Sequence, residues 1–182
     1  MARISYATTS QAKGDAHDVL EQMRQSGEEI LNVYRAVARC PAALRDFMRL
    51  GSSLLVRGHL PPNLRELAIL RIAQISGADY EWAHHVPLAR QAGVSAAQIE
   101  GLSAWRDNEK FSSLERAVVA YAEDVVTSRD VPDDIFEAVR NQLGEDDVVE
   151  LTLVCGYWNM VACLLLALKI DLEPAARKYL PQ

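Results

Sequence analysis

No run of lysine or arginine occurs anywhere in the chain, and with 19 basic against 25 acidic residues the net charge is −6. Phosphate binding needs a basic face, so nucleic acid is excluded as a partner. Cysteine is scarce: Cys40, Cys155 and Cys163 are odd in number and lack a Cys-x-x-Cys spacing. That excludes a disulfide framework and predicts a reducing, cytoplasmic setting. The first fifteen residues contain no apolar block, so no secretory signal is read there. Period-two alternation is missing throughout, which excludes an all-β fold. The most apolar run, Val148 to Leu168, carries Glu150, Thr152 and Asn159. It is expected to be a buried core helix rather than a membrane span.

What is present is helical periodicity and helix punctuation. Expected helices cover about 10–25 (capped by Thr9 or Ser10 and stopped by Gly27), 28–38, and 41 to about 57. The central hairpin runs from Pro61-Pro62 to Ser76, turns at Gly77, and returns from Asp79 to Gly93. Ser95 with Gln98 and Ser112 with Glu115 have capping-box spacing and open helices at about 95–104 and 112–128. Pro132 opens the next helix, Glu145 to Leu168 is the long one, and Pro174 begins a short last one. At 182 residues without a linker, one domain spanning 1–182 is expected, all-α, with residues 1–27 peripheral. Leu64-Arg65-Glu66-Leu67 is echoed by Val148-Val149-Glu150-Leu151, and each precedes an aromatic stretch, which predicts two related helical halves.

The chemistry-bearing side chains concentrate in the hairpin: Glu66, Tyr80, Glu81, His84 and His85. From the turn, Glu66 lies about 16 Å back along its helix and His85 about 12 Å forward, at 1.5 Å per residue. An antiparallel hairpin therefore brings them to similar heights, as a carboxylate that orients an imidazole for proton transfer. Asn63-x-x-Glu66 is equally the spacing of a capping box, so Glu66 alone decides nothing. Tyr80 pairs with His84, and Glu81 with His85, at i, i+4. The two histidines are thus expected to diverge, with His85 inward. Glu81-x-x-His84 has the spacing of carboxylate-bridged di-iron bundles, but no second copy exists and no metal is assigned. The cysteines read as small core hydrophobes.

Pro-x-x-x-Arg-Glu-Leu at 61–67, then Tyr-Glu-Trp-Ala-His-His and Pro87, resembles the carboxymuconolactone decarboxylase superfamily, which includes alkyl hydroperoxidase D. The likeness extends from about Asn32 to Leu168 and takes in Asn159. In the peroxidase branch a Glu precedes Cys-x-x-Cys by twelve residues and a His follows by four. These positions fall on Glu66, Ala78, Glu81 and His85. Both thiols are replaced, so the resemblance implies the proton-relay half without the dithiol. It also implies an all-helical bundle and a homo-oligomer, trimeric or hexameric. The expectation is a cofactor-independent, decarboxylase-like acid/base enzyme on a small lactone, carbonyl or carboxylated substrate. Glu66, His85, Tyr80 and Glu81 are its catalytic candidates, and His84, Trp82 and Asn159 its substrate-binding ones. Its partners are the substrate and further copies of the chain, and no membrane is among them. The alternatives are a peroxiredoxin-type hydroperoxidase and a non-catalytic oligomeric ligand-binding protein.

Overall fold

A computed structural model describes residues 1–181, and among these no strand occurs. The helices are α1 (Gly14–Ser26), α2 (Asn32–Val37), α3 (Leu44–Val56), α4 (Pro62–Ser76), α5 (Asp79–Gln91), α6 (Ala96–Glu100), α7 (Ser113–Thr127), α8 (Asp133–Leu143) and α9 (Glu145–Leu168). Short 3-10 segments cover Leu102–Ala104 and Pro174–Tyr179.

α4 is the axis of the bundle. Every residue from Leu64 to Ala73 is buried, because α5, α7 and α9 pack on it from three sides. A helix enclosed on all sides needs an apolar residue at nearly every position, and LRELAILRIA supplies it. The three charged residues in that run are each paired. Arg71 donates to Glu123 at 2.6 Å, while Arg65 Nε donates to Glu66 at 3.3 Å.

Pro62 opens α4, and Gly77 closes it in the left-handed region at φ 68°. There Gly77 N–H reaches the Gln74 carbonyl and Ala78 N–H the Ala73 carbonyl, so two otherwise orphaned acceptors are satisfied. The chain re-enters α5 after two residues and is forced to run back along α4. Both expected capping boxes are formed, at Ser95/Gln98 and Ser112/Glu115.

Several boundaries differ from expectation. α1 starts at Gly14, because Thr8 accepts the Gln11 and Ala12 N–H groups in a separate turn that takes up the expected cap. α2 is confined to Asn32–Val37. Its first N–H, on Asn32, donates to Glu173, a helix-terminal carboxylate supplied from the far end of the chain. α3 begins at Leu44 after a turn at 41–43. The helix expected over 95–104 breaks at Gly101. The N-terminal 27 residues are not wholly peripheral, since Leu20 and Ala16 are buried and Met23 reaches an internal cavity.

The expectation of a fully buried α9 is also corrected. Leu151, Val154, Cys155, Trp158, Ala162 and Leu165 face the core, but Val149, Leu153, Met160, Cys163 and Leu166 are exposed along the other face. α9 is long and apolar enough to cross a membrane by length and composition, yet its core face is packed against α3, α4, α5, α7 and α8. The echo between α4 and α9 holds in their helical character and mutual packing but not in their acids. Glu150 caps the His59 and Leu60 N–H groups ahead of α4, a task unlike that of Glu66.

Candidate functional site

Glu66 sits on α4 at 1% exposure, and the α4–α5 hairpin brings His85 against it. His85 Nδ1 is 2.8 Å from Glu66 Oε2. The Asn63 capping box is not formed, since the Glu66 oxygens go to His85 and Arg65. From α9, the Trp158 indole N–H donates to His85 Nε2 at 2.8 Å, with the two rings edge to face at 5.5 Å. An indole N–H only donates, so Nε2 is the acceptor and Nδ1 carries the proton given to Glu66. Arg65, Glu66, His85 and Trp158 thus form one buried chain of polar contacts across three helices.

One turn before His85 lies Glu81, 2% exposed and, among the described residues, with no hydrogen-bond partner on either carboxyl oxygen. Burial alone pushes its pKa well above the usual carboxylate range. An ionised carboxylate without a partner is costly in such a place, so burial favours the protonated form of Glu81, which can donate.

A second network occupies the neighbouring positions. Tyr80 O–H donates to Glu173 Oε1 at 2.8 Å, and His84 Nε2 is 2.8 Å from Glu173 Oε2. The Asn32 N–H adds a third bond at 2.6 Å. Burial acts to raise the Glu173 pKa, but the donors from His84, Asn32 and Tyr80 outweigh it and hold the carboxyl below its ordinary value. Tyr80 moves the other way. Burial and then the adjacent Glu173 charge push its pKa far up, so the phenol remains a donor.

Tyr80, Glu81, His84 and His85 form one wall of a cavity of about 340 Å³ between α2, α3, α5 and α9. The opposite walls are apolar and aromatic, with Tyr34, Phe47, Leu55, Tyr157, Val161 and Leu165 among them. Gly51 on α3 is required by close approach: a Cβ there would lie 2.5 Å from the Tyr157 hydroxyl, which donates to the Phe47 carbonyl. Among the described residues neither lysine nor arginine lines the cavity, whereas Glu28 and Glu81 do.

Three expectations are corrected by this geometry. His84 and His85 do not diverge; residues 80, 81, 84 and 85 span adjacent helical faces, and the cavity is wide enough to meet both. Trp82 points to the opposite side of α5, into the cluster with Leu67, Leu70 and Val86, and lines a different hollow. Asn159 is half-buried on α9 and does not line the cavity, while its neighbour Trp158 does. Glu66 itself stands behind His85 and borders a separate hollow with Arg65 and Leu88.

Glu173 was the residue that sequence reasoning missed, for its partners lie about ninety and more positions away. Among the described residues no group of three His, Cys, Asp or Glu side chains is placed to hold a metal ion. The Glu81/His84 pair in particular has its Nε2 committed to Glu173.

A family model described as the carboxymuconolactone decarboxylase family matches residues 41–124, the segment that carries α3 to α7 and both carboxylate–histidine helices. Over that segment the protein resembles the carboxymuconolactone decarboxylase family. An uncharacterized Bacillus subtilis (strain 168) protein, YdfG, is 29% identical over 103 residues, covering 54% of this chain and 70% of that one. Two solved structures share this protein's fold at 17% identity. One is an AhpD-core, peroxidase-related protein of Ralstonia eutropha JMP134, with TM-score 0.79 and coverage of 100% and 98%. The other is a variant of the debrominase Bmp8 in complex with 2,3,4-tribromopyrrole, with TM-score 0.80 and coverage of 98% and 97%. No cysteine among the described residues lines the cavity. Cys40 and Cys163 are exposed, and burial pushes the Cys155 thiol up to about 12. Cys40 and Cys163 are thereby corrected from core to surface.

Proposed function

We propose that this protein is a cofactor-independent acid/base enzyme acting on a small, uncharged carbonyl compound or lactone bound in the α2–α3–α5–α9 cavity. The observation that carries this reading is Glu81, a residue of the cavity wall whose two carboxyl oxygens are buried and, among the described residues, without a hydrogen-bond partner. Such a group has a proton to give and no acceptor within the fold already bonded to it. It resembles an acid kept neutral by burial so that it can polarise a carbonyl oxygen. Acid catalysis also needs a proton acceptor, and two imidazoles anchored by carboxylates share its wall.

The wall chemistry narrows the substrate. A substrate carboxylate entering the cavity would meet Glu28 and, among the described residues, no lysine or arginine, which disfavours the carboxylated substrates implied by the decarboxylase resemblance. A thiol-based peroxidase is disfavoured by the cysteine positions, since the thiolate is the nucleophile in that chemistry. We extend the proposal to self-association, supported by the exposed apolar side chains along α9.

The test is Glu81→Gln assayed against a panel of small neutral ketones and lactones, by ring opening and by solvent-deuterium incorporation. The amide keeps hydrogen bonding but cannot transfer a proton. Turnover lost by about 100-fold or more with ligand binding kept supports the reading. Unchanged turnover in the variant contradicts it.

A further inference from the structure

We infer that the proton acceptor of this site is His84 at Nδ1, with Glu173 as its positioning residue, and that His85 is a fixed part of the wall. This rests on the acid/base reading above. The two histidines differ in how many ring nitrogens are already engaged. His85 has both in use, Nδ1 with Glu66 and Nε2 with the Trp158 indole N–H, each at 2.8 Å. To accept a proton at Nε2 it would have to displace a buried N–H that, among the described residues, has no other acceptor. His84 has only Nε2 engaged. Among the described residues no protein group bonds its Nδ1.

Glu173 decides which nitrogen is the base. Its carboxylate already accepts from Tyr80 and the Asn32 N–H, and it takes the His84 Nε2–H as a third donor. In the neutral ring a proton on Nε2 leaves the lone pair on Nδ1. When Nδ1 gains a proton, the imidazolium formed has a carboxylate 2.8 Å away to stabilise it. Glu81 lies three residues before His84, so acid and base occupy neighbouring positions on one wall. His84 is also the less enclosed ring, 24% exposed at the side chain against 10% for His85.

The step balances without a co-reactant. Nδ1 takes the proton from the carbon next to the substrate carbonyl. The C–H electron pair becomes the C=C bond, and the carbonyl π pair takes the proton from Glu81. The products are an enol, the His84 imidazolium and the Glu81 carboxylate. Reversal through solvent-exchanged His84 returns deuterium to carbon when the solvent is D2O.

Two measurements on the full-length protein test this. Diethyl pyrocarbonate acylates an imidazole nitrogen whose lone pair is open, and peptide fragmentation separates position 84 from 85. Modification at His84 with His85 spared is expected; the reverse overturns the inference, whatever the activity. The second is deuterium exchange into cyclohexanone, followed by NMR. His84→Gln is expected to lower the rate at least 100-fold. Glu173→Gln, which keeps an acceptor oxygen for Tyr80 and the Asn32 N–H but removes the charge and turns an NH2 donor toward His84 Nε2, is expected to lower kcat at least tenfold with KM and melting temperature unchanged. Exchange retained in His84→Gln, or a loss in Glu173→Gln that tracks melting temperature alone, overturns it. An inactive wild-type protein with His84 acylated would sink the acid/base reading and leave the open nitrogen standing.

Discussion

The Trp158 indole N–H lies 2.8 Å from His85 Nε2, a bond that joins α9 to α5 and completes the polar chain begun by Arg65 and Glu66. Replacing Trp158 by Phe keeps an aromatic ring beside the cavity but leaves a buried acceptor without its donor. The expected loss is about 1–3 kcal/mol of stability, the cost of an unsatisfied buried group plus some packing. Urea denaturation measures it, and a loss below about 0.5 kcal/mol would mean the bond is not made in solution.

Glu81 predicts a stability difference whose size depends on pH. Its pKa is raised in the folded chain above the ordinary 4.5. Between 4.5 and the raised value, the unfolded chain has released the proton and the folded one has kept it. The protonated form therefore favours folding at low pH, and that advantage is lost as pH rises through this window. Glu81→Gln does not titrate. It is expected to match the wild type near pH 4 and to be the more stable protein at pH 7 to 8. Denaturation midpoints at the two pH values check this; a constant difference would contradict it.

Gly51 gives a packing prediction. A methyl group there meets the Tyr157 hydroxyl at 2.5 Å and its ring carbons at 2.8 and 3.0 Å. Tyr157 is held between Phe47 and Trp158, at ring separations of 5.4 and 4.9 Å, and has little room to retreat. Gly51→Ala is expected to cost about 1–3 kcal/mol, as overpacking does. A melting temperature equal to the wild type would show that the ring moves freely.

The exposed face of α9 predicts self-association. Leu153 and Met160 lie two helical turns apart on it, both about half exposed. Light scattering after size exclusion should give a multimer for the wild type. Leu153→Lys with Met160→Lys should give a monomer of unchanged helicity. A monomeric wild type contradicts the proposal.

Helix existence and type were legible in the sequence because local residues set them. Pro62, Gly77, the Ser95 and Ser112 boxes and the apolar run of α4 each act within a turn of themselves. The Glu66–His85 juxtaposition was also legible, since a two-residue turn makes axial position a matter of counting. Three features were not. Glu173 joins Tyr80, His84 and Asn32 only after the chain has crossed the bundle, and no local pattern carries that. Trp82 and Asn159 followed from the family motif, but which way a side chain points depends on neighbours from other helices. The apolar composition of α9 could not distinguish burial by this chain from burial by another.

The central claim is that Glu81 is a neutral acid at the cavity wall. The most direct measurement is the carboxyl carbon NMR signal of Glu81 at pH 7, assigned by its disappearance in Glu81→Gln. A signal at the protonated position, shifting only when the pH is taken well above the ordinary carboxylate range, is the predicted result. A signal at the ionised position at pH 7 would contradict the account.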